Sequence, residues 1–382
     1  MFRKGISMKK TTQWMTAGLL CLLTAAVAFG TPGKKKTIEW HRSSGNILQQ
    51  APKWYGSDEA IRIAENVLLY QRESGGWPGN IDMVRERSEK EKKNVRKMRS
   101  KQDSTLDNGA THTHLHYLAK VYNATRHERF RQAFLRGVDY LLRAQYPNGG
   151  WPQRYPNLSG YARYITFNDG AMIGAMTVLR DIAEKKPPYI SLVDEQRRKK
   201  AEKAVQKGIG CILKCQIIVG GRRTAWCQQH DEKTLEPRPA RIDEKVSLCG
   251  CESVGVVKFL MSIDHPAPQI IEAVQGAIAW FDRAALTGIR QINKPDESER
   301  GYDKVIIKDA TAPPIWARFY QIGTNRPLFC SRDGIIKSSL AEIEHERRTG
   351  YSWYGYGPAT LLAKDYPAWQ KKWAPKKNVL RN

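Results

Sequence analysis

QRESGGWP at 71–78 and QYPNGGWP at 145–152 are one phrase written twice, and QIIVGG at 216–221, with Trp226 following, is a worn third copy. Each copy closes a stretch of helical period. The stretches cover 58–71, with small and apolar residues at 60, 64 and 67, then 130–145, with Phe130, Phe134, Val138 and Leu141, then 201–216, with Ala204, Gly208, Cys211 and Cys215. Paired glycines end a helix by supplying left-handed backbone. Partner helices are predicted from near Asn108, Asp169 and Glu252, and a fourth pair from 269–285 and 354–364. A repeat of this length predicts an all-α fold: helical hairpins in a ring or arc, loops gathered at one rim. Function then belongs on the loops.

The chain has 382 residues, enough for one large domain built of repeated units. Its formal charge is +25. Arg3, Lys4, Lys9 and Lys10 lie in a basic start ahead of the apolar run at 15–28, which is too short for a comfortable membrane span. Residues 1–28 read as a secretory signal, 29–52 as an N-terminal segment, 53–371 as the toroid and 372–382 as a frayed basic tail. Such a balance predicts a polyanionic partner. Export to a secreted or periplasmic location makes that partner an acidic polysaccharide, with no nucleic acid and no stable membrane insertion. A monomer is expected.

Residues 83–104 are rich in Arg, Lys and Glu. They read either as a solvated charged helix or loop, or as a basic flap over an anionic substrate. Cys227, His230, Cys249 and Cys251 lack the spacings of a zinc ribbon or finger, so buried thiols or one disulfide are expected. HTHLH at 112–116 lacks the glutamate of the zinc-protease motif and reads as a structural cluster.

Two constellations carry chemistry. Asp107-Asn108 and Asn168-Asp169 occupy matching loops before the second helices. Such residues cap helices; on two equivalent loops they also supply oxygen atoms suited to a hard cation. The second constellation is arginine on predicted loops: Arg238, Arg241, Arg318, Arg326, Arg332, Arg347 and Arg348. Guanidinium forks grip carboxylates. Trp316, Phe319, Tyr320, Tyr351, Trp353, Tyr354 and Tyr356 flank them and read as sugar-stacking faces or as packing under loops.

GGWP with NIDM at 75–83, DSTLDNGAT at 103–111, YPNGGWPQRYP at 146–156, ITFND at 165–169, TAWCQQHDEKTLEP at 224–237, SRDG at 331–334 and ERRTGYSWYG at 346–355 closely resemble the pectate lyases of polysaccharide lyase family 10. The resemblance runs from 53 to 371. It implies an (α/α) toroid of three hairpins and cleavage of polygalacturonate by calcium-dependent β-elimination, giving 4,5-unsaturated oligogalacturonates. It implies Arg241 as catalytic base, Asp107 and Asn108 on the substrate and calcium side, and Asp169 with the calcium. It implies uronate carboxylates bound by Arg318, Arg332 and Arg347. Calcium held at Asp107 and Asp169 is the expected cofactor, and polygalacturonate or pectin the expected partner. Three departures stand out: Gly170 replaces a second aspartate, Gly79 a lysine, and RIDE replaces RAYE. The last puts Asp243 beside Arg241, an acid expected to hold that arginine protonated. A pectin-binding protein without chemistry, and a glycosidase using two carboxylates, are the alternatives.

Overall fold

The computed structural model describes residues 38–40 and 46–380. The signal segment at 1–28 lies outside the described residues. After α1 (Asp58–Tyr70) and a short α2 (Glu89–Arg96) come three antiparallel hairpins. They are α3 (His112–Thr125) with α4 (Glu128–Ala144), α5 (Ala171–Ala183) with α6 (Glu195–Cys215), and α7 (Glu252–Met261) with α8 (Pro268–Ala284). Helices α3, α5 and α7 pack in one row, and α1, α4, α6 and α8 in a second. This is the three-hairpin (α/α) toroid. The closing segment runs through α9 (His345–Gly350), α10 (Gly357–Thr360), a π turn at Leu361–Asp365 and α11 (Tyr366–Trp373). Most strands are two residues long; the exception is the antiparallel hairpin Ile289–Pro295 with Tyr302–Lys308. Among the described residues no helix is long and apolar enough to cross a membrane.

The repeated phrase is the joint between neighbouring second-row helices. Gln71 donates from Nε2 to the carbonyls of Gly75 (2.8 Å) and Ala133 (2.8 Å), hooking the end of α1 to α4. Gln145 does the same to Gly149 (3.0 Å) and Ala204 (2.8 Å) on α6, and Gln216 to Thr224 (2.9 Å) and Ala273 (2.8 Å) on α8. The tryptophans then fold back. Trp77 Nε1 donates to Val67 O (2.7 Å), Trp151 to Leu141 O (2.8 Å) and Trp226 to Ile212 O (2.8 Å). A fourth, unannounced by any glycine pair, is Trp316 to Phe281 O (2.8 Å). Trp77, Trp151 and Trp226 are fully buried. Each removes roughly 200 Å² from water, on the order of 5 kcal/mol of transfer free energy. Their rings need room: a Cβ on Gly137 would meet Trp77, and one on Gly208 would meet Trp151.

The segment 83–104 is placed rather than open. Ser88 and Glu91 form a capping box at the start of α2, Val95 is buried, and Asn66 Nδ2 holds the carbonyls of Met83 (2.8 Å) and Arg85 (2.9 Å). The basic end is likewise docked as far as 380: Gln275 Nε2 donates to Lys377 O (2.9 Å), and Val379 and Leu380 pack on the core. The expected fraying from 372 is therefore not what the structure has. At the other end, the compact unit begins at Ile38, earlier than residue 53, because Trp40 is buried against His114 and Tyr117.

Candidate active site

The turns leading into α3 and α5 are built alike. Asp107–Gly109 and Asn168–Gly170 are single 3₁₀ turns lying side by side. Asn108 (φ 52°) and Asp169 (φ 53°) are both left-handed, a conformation that Asn and Asp tolerate better than other L-residues. The two are therefore structural equivalents, as are Asp107 and Asn168. The Asn108 side chain donates to Asp107 Oδ2 (3.2 Å) and to Asn80 Oδ1 (3.2 Å), which ties the loop after the first stop to this turn. Gly170 is also left-handed (φ +69°), and a Cβ there meets nothing, so the place of the absent second aspartate is open space.

Arg318 joins these turns to the third unit. Its Nη2 donates to Asn168 Oδ1 (3.2 Å) and to Glu252 Oε1, and lies 4.0 Å from Asp169 Oδ1. Glu252, the first residue of α7, is almost fully enclosed, and Gln228 Nε2 bridges it (3.3 Å) to Asn168 (2.8 Å). Burial lowers the pKa of Arg318, but the charge of Glu252, with smaller contributions from Tyr351, Cys249 and Cys251, together outweighs it and the net shift is upward.

Three of the arginines gather on one ring. Tyr351 lies under the guanidiniums of Arg347 (3.7 Å to the ring centre), Arg318 (4.5 Å) and Arg241 (5.9 Å). Its hydroxyl donates to Glu244 Oε1 (3.0 Å), and that same oxygen accepts from Arg241 Nη2 (2.5 Å). The bond from Glu244 raises the pKa of Arg241 further above the ordinary arginine value. Burial pushes Glu244 up, but the hydrogen bond and charge of Arg241 prevail and hold it below the usual carboxylate range.

The acid beside Arg241 is thus Glu244, not Asp243. Asp243 turns inward and pairs with Arg347, and both are buried, with side chains 2% and 5% exposed. Arg347 is enclosed in that pair rather than presented to a groove. Arg241 remains 45% exposed and Arg332 54%, the latter held by Glu346 (2.7 and 2.9 Å). Arg238 pairs with Asp231 and Arg348 with Asp303, so both brace loops. Trp316, Phe319, Tyr320 and Trp353 are buried packing, while Tyr356 is exposed.

The histidines and cysteines are structural. His114 Nδ1 accepts from Thr111 N (3.1 Å) under the stacked Trp77, and burial drops its pKa to about 3. His230 Nε2 accepts from Cys227 N (3.1 Å), so its Nδ1 carries the proton and donates to Leu235 O (2.8 Å); burial drops its pKa to about 4. The cysteines from 211 to 330 are free thiols. Among the described residues no group of three or more His, Cys, Asp or Glu gathers to hold a metal. Asp107 and Asp169, with the amide oxygens of Asn108 and Asn168, offer a hard-oxygen donor set that a ligand's carboxylates and water would have to complete.

Glu252, Gln228, Asn80 and Glu244 were not singled out from sequence. The repeat held one usable signal. If Thr111 and Ser253, whose side chains accept from Trp77 N (3.3 Å) and Trp226 N (3.1 Å), are placed in register, Glu252 falls where the first copy has Ala110. A carboxylate where the first copy has a methyl group marks a departure from scaffold.

The sequence profile of the pectic acid lyases matches residues 71–362. No curated protein sequence matches the chain. The fold is similar to a family 10 polysaccharide lyase from Cellvibrio cellulosa, with a TM-score of 0.70 and 33% identity over 87% of this chain and 96% of that one. It is equally similar, at 0.70 and 33% over 85% and 96%, to an aspartate-to-alanine mutant of the Cellvibrio cellulosa enzyme in complex with trigalacturonic acid. With the profile covering most of the chain and the toroid and arginine cluster in place, this chain belongs to the pectic acid lyase family and is a pectate lyase.

Proposed function

We propose that the enzyme cleaves α-1,4-polygalacturonate by calcium-dependent β-elimination, leaving 4,5-unsaturated oligogalacturonates. The observation that carries this reading is the convergence of Arg241 and Arg318 on the face of Tyr351, with Arg318 4.0 Å from Asp169. A uronate C5 proton is acidified by the adjacent carboxylate, and cationic groups that neutralise that carboxylate stabilise the enolate-like charge as it forms. Arg318 supplies fixed positive charge here, because Glu252 and Gln228 orient it. Arg332 supplies a second, more exposed fork at the rim. Asp107, Asn108 and Asp169 are the residues that would hold calcium, which supplies Lewis-acid neutralisation of the substrate carboxylate when bound.

Arg241 takes the C5 proton in this reading. In its pair with Glu244 it is a cation, not a base. The role requires substrate to part the pair and leave the guanidine among Arg318 and Arg332, where neighbouring positive charge favours the neutral form. Tyr351 holds Glu244 by its hydroxyl and gives the carboxylate a partner when Arg241 swings away. The C4 oxygen then departs with its electron pair and is protonated.

Incubation of the enzyme with polygalacturonate and calcium is expected to produce the ultraviolet absorbance of a conjugated uronate, and chelator to abolish it. New reducing ends with no such absorbance would refute elimination. The basic start with Lys9 and Lys10 and the apolar run at 15–28 support export to the periplasm or medium, and we expect a monomer; fractionation and light scattering check these.

A further inference from the structure

The basic segment 83–104 has no part in the chemistry above, yet it builds a concave surface. The turn after α2, helix α2 itself, the end of α1 and the middle of α4 form a cavity of about 490 Å³ whose lining includes Leu68, Leu69, Arg96, Arg99 and Arg136, together with Glu65 and Lys92, each ion-paired elsewhere. Its volume lies in the range of small-ligand sites. Leu68 and Leu69 supply apolar lining and the arginines supply charge.

The acids of this region leave the three arginines unpaired, although Glu89 takes up Lys92. Glu65 accepts from Arg129 (2.6 Å), Glu89 from Lys92 (2.8 Å), and Glu91 from Arg85 and Ser88. Among the described residues no carboxylate forms an ion pair with Arg96, Arg99 or Arg136. Arg136 instead donates to the Gln71 amide oxygen (3.1 and 2.7 Å), which fixes its guanidinium at the end of α1. Burial, and then the charge of Arg99, lower the pKa of Arg136, as expected where cations are pressed together. The cavity sits at the rim end of α1, beside the first stop, whose loop leads through Asn80 to Asn108.

We propose that this cavity is a second, non-catalytic binding site for a stretch of polyuronate chain. Guanidinium forks match carboxylates, and leucine methyls suit the C–H faces of a pyranose ring. No aromatic side chain lines the cavity, so it lacks the stacking platform that single-stranded nucleic acid uses. Occupancy keeps the enzyme on a polymer between cleavage events. The inference rests on the substrate reading above, and the test separates the two.

The test is affinity electrophoresis in polygalacturonate, with turnover of trigalacturonate measured alongside, for wild type, Arg96→Ala/Arg99→Ala and a charge-matched control, Lys199→Ala/Lys200→Ala, on α6. The expected result is a five- to tenfold weaker retention by polymer for Arg96→Ala/Arg99→Ala only, with trigalacturonate turnover unchanged in all three. Equal retention of both variants overturns the site while leaving the function intact. Equal loss in both assigns retention to net charge and also overturns it. A matching loss of binding to a DNA fragment shows a nonselective polyanion surface and overturns it as well. Wild type that neither turns over trigalacturonate nor binds polymer sinks the substrate reading and this one together.

Discussion

At the second stop, Gly149 (φ +95°) lies over the Lys207 carbonyl, where a Cβ would come within 2.1 Å; the first stop repeats this with Gly75 over Arg136 O at 2.4 Å. At the third stop the turn presents Arg223, and the glycine has moved across the contact into α8 as Gly276, whose added Cβ would sit 2.5 Å from Arg223 Cβ. The close approach of turn to helix is kept while the residue that makes room for it changes sides. The turn so released carries a short strand pair, Ile218–Val219 with Arg222–Arg223, and leads to the segment bearing Arg241. Two copies set a turn glycine against the neighbouring helix and serve as frame; the third keeps Gly220 and Gly221 in its turn but clear of that contact, where the chain departs to build the arginine cluster.

Arg241→Ala should separate chemistry from frame most sharply. Turnover is expected to fall by a factor of about 10² to 10⁴, the usual worth of a positioned proton acceptor, with the urea midpoint unchanged. Full activity would remove Arg241 from the base role. Trp151→Ala and Trp226→Ala should each lose roughly 3–5 kcal/mol in denaturant unfolding. A much smaller loss at 226 would mean the worn copy no longer bears load. The glycine exchange predicts that Gly149→Ala destabilises by about 3 kcal/mol, through both its positive φ and the carbonyl. Gly276→Ala, in a helix and against a side-chain root, should do so by roughly 1–2 kcal/mol.

Acid should strain the first and third units alike. His114 and His230 are held neutral, with pKa values near 3 and 4 against 6.5 unfolded. Their contribution is complete above about pH 6.5 and is lost as pH falls towards those folded values, because the unfolded chain takes up the protons first. A drop of roughly 1–2 kcal/mol per histidine by about pH 5 is expected from urea midpoints, and a midpoint flat from pH 7 to 5 would contradict it. Last, Tyr351→Phe keeps the ring under the arginines and deletes only the bond to Glu244. A loss of about 1 kcal/mol in kcat/KM, with KM nearly unchanged, is expected.

The frame was legible because its signals are local. Gln, paired glycines and Trp recur at fixed offsets, and Trp77 and Trp151 are fully buried. The arginines were legible as a set but not in their partners. Asp243 stands two residues from Arg241 in the chain, yet it pairs with Arg347, about a hundred residues away, and Glu244 takes its place. Arg318 and Glu252 are likewise distant in sequence. A solvated charge run and one with a few buried anchors share a composition: Met83, Val95 and the Asn66 side chain decide the placing of 83–104, and none stands out among its neighbours.

The glutamine hooks at 71, 145 and 216 each grasp main-chain carbonyls, one in their own turn and one on an alanine of the next helix. Register around the toroid is thus carried by atoms that every amino acid possesses. Side chains on the turns are released from the task of alignment, so a unit can exchange its aspartate for Cys249 or acquire Glu252 while its neighbours stay in step. A ring joined in this way is open to piecemeal revision, with one position at a time turned from structure to reactivity.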